Sequence, residues 1–147
     1  MEISGIYLAL GLLGLTLIAG IFYKVSAGSG RSVTRSAAID LASIGAHKNG
    51  FAVQELGKSA TLLQFSTEYC GQCPSVRRSL SQIEYRTGGV LHAEVDLTDR
   101  LDLAAKFNIS QTPTVFVLNS KGQVTFRVSG VPKAGLIQQE LAKLGIK

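Results

Sequence analysis

Two cysteines, Cys70 and Cys73, stand as Cys-Gly-Gln-Cys, and they are the only two in the 147 residues. A thiolate is both the nucleophile and the leaving group of disulfide exchange, so such a pair can pass between dithiol and disulfide within one chain. The competing readings are a structural pair or half of a metal site. Two cysteines are too few for a disulfide framework, and zinc held by cysteines alone needs four. Beyond carboxylates, only His47 and His92 remain as further ligands, so no metal site is expected.

The elements around the pair must place one sulfur outside and one inside. Residues 61–66, Thr-Leu-Leu-Gln-Phe-Ser, read as a short apolar strand, and residues 74–86 as a helix. Cys70 then sits where strand gives way to helix, facing unpaired N–H groups and the positive end of the helix dipole, which favour a thiolate. Cys73, Val76, Leu80 and Ile83 recur at steps of three, four and three, which puts them on one buried stripe. Arg77, Arg78, Ser81 and Glu84 take other faces. The phase therefore assigns Cys70 as the exposed nucleophile and Cys73 as the shielded resolving thiol. Gly71 leaves the backbone open to a substrate chain, and Pro74 falls in the first turn, where its missing N–H does no harm.

The alternation continues downstream. Residues 90–95 are strand-like, residues 99–107 helical with Thr98 as N-cap, and residues 114–118 and 123–128 form two strands around the turn Asn119-Ser-Lys-Gly122. Pro132 opens a last helix with Leu136, Ile137, Leu141 and Leu144 on one side. In the weaker stretch 37–58, Ala37, Leu41 and Ile44 fit one helical face ended by Gly45, and residues 53–56 suggest a second short helix.

Tyr69-Cys-Gly-Gln-Cys73 after an apolar strand resembles the active site of the thioredoxin superfamily. Thr112-Pro113-Thr114 before a strand is similar to that family's cis-proline loop, and Gly130 matches a family glycine. The likeness runs from about residue 61 to the C-terminus. It implies an α/β thioredoxin fold, a central mixed sheet flanked by helices, with a cis Thr112–Pro113 bond. It also implies a redox-active Cys70–Cys73 disulfide needing no other cofactor. Tyr69, Gly71, Gln72, Thr112 and Pro113 would support the site, the backbone beside Pro113 pairing with an extended substrate. This chain departs from the family in Tyr69 for Trp, Gln72 for Pro and Pro74 for Lys, so the family's reduction potential does not carry over. Gln64 replaces the buried Asp that relays a proton to the second cysteine. His92 falls near the Lys that often partners that Asp, so a relay through Gln64 and His92, or water, is the expectation.

Residues 3–23 carry no charge and would make a helix about 31 Å long, matching the ~30 Å hydrocarbon core. Eleven of them are Leu, Ile or Phe, which favours insertion by roughly 3–7 kcal/mol on the insertion scale. Tyr7 and Tyr23 lie toward the two ends, where amphipathic rings favour the interface. The rival is a cleaved signal peptide, with Ser26-Ala27-Gly28 as a small-residue site. Met1-Glu2-Ile3-Ser4 lacks the positive n-region that a signal peptide carries. Lys24, Arg31 and Arg35 follow the span and only Glu2 precedes it, so the positive-inside rule puts the catalytic domain in the cytoplasm. An extracytoplasmic domain would meet an oxidising environment instead.

The expected organisation is a transmembrane anchor over residues 1–25, a Gly/Ser-rich linker over 26–36 and a thioredoxin-like domain over 37–147, its core at 60–145. The expected activity is dithiol/disulfide exchange on protein substrates at a membrane surface, with an unidentified electron donor or acceptor. The alternatives are a redox-inactive membrane-held adaptor or an extracytoplasmic thiol oxidase or isomerase. Net charge is +5, but the basic residues are scattered, without the concentrated footprint of a nucleic-acid binder.

Overall fold

The computed structural model describes residues 2–26, 28–34 and 36–146. Met1, Ala27, Arg35 and Lys147 lie outside it, and with them one of the flanking charges, the middle of the cleavage-like triplet and the last residue of the expected domain. Helix α1 (Glu2–Ser26) is followed by strands β1 (Gly30–Ser32), β2 (His47–Lys48), β3 (Phe51–Ala52) and β4 (Ala60–Ser66). Then come α2 (Cys73–Arg86), β5 (Val90–Asp96), α3 (Leu101–Lys106), β6 (Thr114–Asn119), β7 (Val124–Ser129) and α4 (Leu136–Lys143). Among the described residues the strands form one mixed sheet in the order β1-β7-β6-β4-β5-β2-β3. β4 and β5 run parallel, joined by the α2 crossover, and the other pairings are antiparallel.

Strand alternation builds two cores. Ala60 and Leu62 of β4 face α2 and α4, packing with Val76, Leu80, Ile137 and Leu141. Leu63 and Phe65 face the other way, against α3 and residues 39–46. There the Phe65 and Phe116 rings meet edge to face at 4.9 Å between centroids. All seven residues of β4 are buried, as a central strand covered on both faces must be.

Several expected details are corrected. Residues 26–36 are not simply a linker, because Gly30–Ser32 pairs antiparallel with β7 at the sheet edge. The sheet therefore starts before residue 37. Residues 37–45 do not form a helix. Asp40 accepts the Ala42 N–H at 3.1 Å and the Ser43 hydroxyl bonds the Asp40 carbonyl, closing a single turn that Gly45 leaves at φ 68°. Leu41 and Ile44 are buried from that turn. Residues 53–56 are not helical either. They follow the β2–β3 hairpin, whose turn residues Asn49 and Gly50 have φ of 51° and 82°, as a two-residue hairpin turn requires. Thr98 does not cap α3, and Arg100 holds the N-cap position. Instead the Thr98 hydroxyl donates to Asp96 and accepts the Glu68 N–H. The last helix begins at Leu136 after Gly135, not at Pro132, and Leu144 is its exposed C-cap.

Candidate functional site

The site is assembled at one end of the sheet. β4 ends at Ser66, and the chain turns through Thr67–Gln72 before α2 begins at Cys73. The Cys70 N–H bonds the Thr67 carbonyl at 3.1 Å, and the Cys73 N–H bonds the Cys70 carbonyl at 3.2 Å. Cys70 therefore precedes the helix by a turn, and Cys73 is its first residue, with Gln72 as N-cap and Pro74 behind it. The two sulfurs are bonded at 2.07 Å, with the Cα atoms 5.5 Å apart. Cys70 is half-buried, whereas Cys73 is only 2% exposed and lies on one stripe with Val76, Leu80 and Ile83. Tyr69, Gly71 and Gln72 are exposed around Cys70, and a side chain at Gly71 would meet nothing within 4 Å. The adjacent Glu68 carboxylate holds the exposed Tyr69 phenol above its ordinary pKa.

Beside the cysteines lies a second loop. The Thr112–Pro113 peptide bond is cis. Thr112 meets Thr67 hydroxyl to hydroxyl at 3.3 Å, and the Pro113 carbonyl accepts the Gly130 N–H at 2.7 Å. The proline loop is thus held between the loop that carries Cys70 and the turn that follows β7.

Under α2 the sheet presents three polar rungs, one helical turn apart. Gln64 Nε2 donates to the Cys73 carbonyl at 3.1 Å. Next, Arg77 Nε donates to Glu94 Oε1 at 2.6 Å. Then Ser81 and His92 Nδ1 meet at 3.2 Å. Each rung leaves one buried atom without a partner, namely Gln64 Oε1, Glu94 Oε2 and His92 Nε2. Burial is the main cause that lowers the His92 pKa below its usual value. Glu94 and Glu84 oppose that shift, and Lys48 and Arg77 add to it.

Gln64 thus touches the Cys73 backbone. His92 does not reach it; its partner Ser81 stands eight residues along α2 from Cys73, about 12 Å at the helical rise. Glu94, not among the residues expected at the site, pairs in register with Gln64 and is 5% exposed. Arg77, off the buried stripe by helical phase, reaches back over the sheet with its guanidinium. A signal was present: His92 and Glu94 alternate with Ala93 and Val95, so strand parity turns both polar residues to one side. Among the described residues no group of three or more His, Cys, Asp or Glu is placed to hold a metal.

A mixed sheet with helices on both faces, a C-x-x-C pair at the β4–α2 junction and a proline loop beside it define a thioredoxin-fold protein. The comparisons with known proteins agree: the thioredoxin family model matches residues 45–143, and the chain belongs to that family. It is 32% identical over 78 residues to the thioredoxin of Mycoplasma pneumoniae, covering 52% of this chain and 76% of that protein. To thioredoxin of Ovis aries it is 29% identical over 85 residues, covering 58% and 80%. Thioredoxin from Trypanosoma brucei brucei superposes with a TM-score of 0.51 at 26% identity, covering 60% of this chain and 76% of that one. Thioredoxin from Fasciola hepatica gives 0.50 at 20% identity, covering 59% and 82%.

Proposed function

We propose that the chain is a thiol–disulfide oxidoreductase acting on protein substrates from a membrane surface. The observation that carries this reading is the asymmetry of the pair: Cys70 half-buried beside the Pro113 loop, Cys73 2% exposed beneath it. In the reduced state the Cys70 thiolate attacks one sulfur of a client disulfide, forming a mixed disulfide and expelling a client thiolate. Cys73, deprotonated, then attacks the Cys70 sulfur. This closes the Cys70–Cys73 bond and releases the second client thiolate. Two electrons pass to the client, whose thiolates take up two protons. A dithiol partner returns the pair to the reduced form by the same steps in reverse. Tyr69, Gly71, Gln72 and Thr112 border the attacked sulfur, and an extended client strand pairs beside Pro113.

Cys73 must lose its proton in a buried place. Gln64 orients the Cys73 backbone and does not titrate. Glu94, paired in register with Gln64, is a buried carboxylate one rung along from Cys73 with its Oε2 unpartnered, and we assign proton uptake to it in place of His92. The α1 segment Gly5–Val25 is long and apolar enough to cross a membrane and is not buried in the protein, which supports anchoring. Lys24, Arg31 and Arg35 after the span support a cytoplasmic domain.

The test is turnover of a peptide disulfide by the full chain. Cys70→Ser should abolish it, and Cys73→Ser should accumulate a mixed disulfide on Cys70. Undiminished client binding and phenotype with Cys70→Ser would favour the redox-inactive adaptor instead. Labelling of Cys70 in intact cells by a membrane-impermeant reagent would place the domain outside, where an oxidase or isomerase belongs.

A further inference from the structure

The path of the chain between α1 and the sheet fixes which end of the domain meets the bilayer. β1 enters the sheet antiparallel to β7, with Gly30 opposite Val128. Ser129, the next residue of β7, stands opposite Thr114, and Thr114 stands opposite Phe65 at the end of β4 that leads to the cysteines. β1 therefore starts at the redox end of the sheet and runs away from it. Only residues 27–29 separate Ser26 from Gly30, at most about 14 Å of extended chain.

Gly28 and Ser29 of that connection are docked beside the site. The Gly28 N–H bonds the Ser129 carbonyl at 3.2 Å. Gly28 is buried at φ 71°, and a Cβ there would stand 2.2 Å from the Val131 carbonyl oxygen. Gly130, between Ser129 and Val131, donates to Pro113. Lys133 Nζ reaches the last turn of α1, at 3.1 Å from the Val25 carbonyl, and the Ser29 hydroxyl at 3.3 Å. The opposite end of the sheet, the Asn119–Gly122 turn, lies a six-residue strand away, about 20 Å. Two exposed apolar side chains also mark the redox end, Tyr69 at 85% and Val131 at 41%. A Tyr ring suits the headgroup region.

We infer that the anchor holds the Cys70–Cys73 face at the bilayer surface, and that its partners are membrane-embedded proteins carrying a cysteine pair immediately beyond a membrane span. The inference rests on the anchored oxidoreductase reading and adds the partner class. A freely diffusing thioredoxin-type domain samples disulfides in all directions. Here Cys70 and the Pro113 loop stand at the sheet end that the anchor joins, a few residues from the span, which favours disulfides at headgroup level over distal ones. The exchange is the one already written, with the membrane protein's cysteine pair as the electron acceptor or donor.

The test uses the full chain in phosphatidylcholine/phosphatidylglycerol vesicles. One fluorophore is placed on Cys70 in Cys73→Ser, and another on Lys121→Cys in the doubly serine-substituted chain. Lipids spin-labelled at the headgroup should quench the Cys70 probe at least threefold more than the Lys121→Cys probe. Equal quenching, or the reverse order, would overturn the orientation. In a second arm the pre-reduced protein meets single-span peptides whose disulfide lies either three residues beyond the span or behind a twenty-residue helical spacer. The near disulfide should be reduced at least tenfold faster, and equal rates would overturn the partner class. A soluble peptide disulfide and vesicle flotation serve as controls. Failure to reduce any disulfide would refute the oxidoreductase reading, and failure to float would refute the anchor, each separately visible.

Discussion

Cys70 and Cys73 differ because one precedes a helix and the other begins its buried stripe. This much was legible in the sequence, since the steps from Cys73 to Ile83 set the phase of α2. The polar rungs beneath were only half legible. Gln64 was singled out, but Glu94 emerged only once the parallel register set it against Gln64. Register between parallel strands depends on the whole crossover and is not written in either strand alone. Glu94→Gln should lower the rate of Cys73-dependent resolution by at least about tenfold near neutral pH, the low side of what a positioned proton acceptor contributes. His92→Gln should leave that rate in place, and stopped-flow exchange distinguishes the two. His92 instead affects stability. Its pKa is depressed in the fold, so below its ordinary value of 6.5 the unfolded chain binds a proton that the native state does not. Stability is therefore full above about pH 6.5 and falls as pH drops from there toward the depressed folded value. Thermal midpoints from pH 8 to pH 5 should decline in the parent chain and decline less in His92→Gln.

Among the elements, β4, α2, β5, α3, β6 and β7 follow from periodicity, because α2 and α3 each present an apolar stripe to one core and the strands divide their apolar residues between the two. Residues 37–56 do not, because Leu41, Ile44, Ala46, Val53 and Leu56 are packed from turns and a short hairpin, where no period holds. Asn49-Gly50 is a hairpin signal the sequence does carry, but it lies between strands of only two residues each. The Gly/Ser composition of residues 26–36 pointed to a linker, whereas Gly30 is required by packing. A Cβ there would stand 1.7 Å from the Phe126 ring, which is itself buried. Gly30→Ala should therefore destabilise the domain by about 1–3 kcal/mol, the usual cost of overpacking, read as a lower urea midpoint. An unchanged midpoint would mean that β1 is not held against Phe126.

At the scale of the whole molecule, one helix exposed along its described length is joined through β1 to a sheet whose redox end lies beside the junction. If α1 is a membrane span, the full chain should float with vesicles and resist carbonate extraction, and a chain lacking residues 1–26 should do neither. A mature protein that begins near Gly28 would instead identify α1 as a cleaved signal. The central claim is that Cys70 and Cys73 form a reversible dithiol that exchanges electrons with protein disulfides. Its most direct measurement equilibrates the full chain in glutathione buffers of graded ratio and counts alkylatable thiols by mass. The claim predicts a single two-electron transition, in which both thiols appear together, and stoichiometric transfer of those electrons to a peptide disulfide. Thiols that appear independently, or a reduced pair that passes no electrons to the peptide, would contradict it.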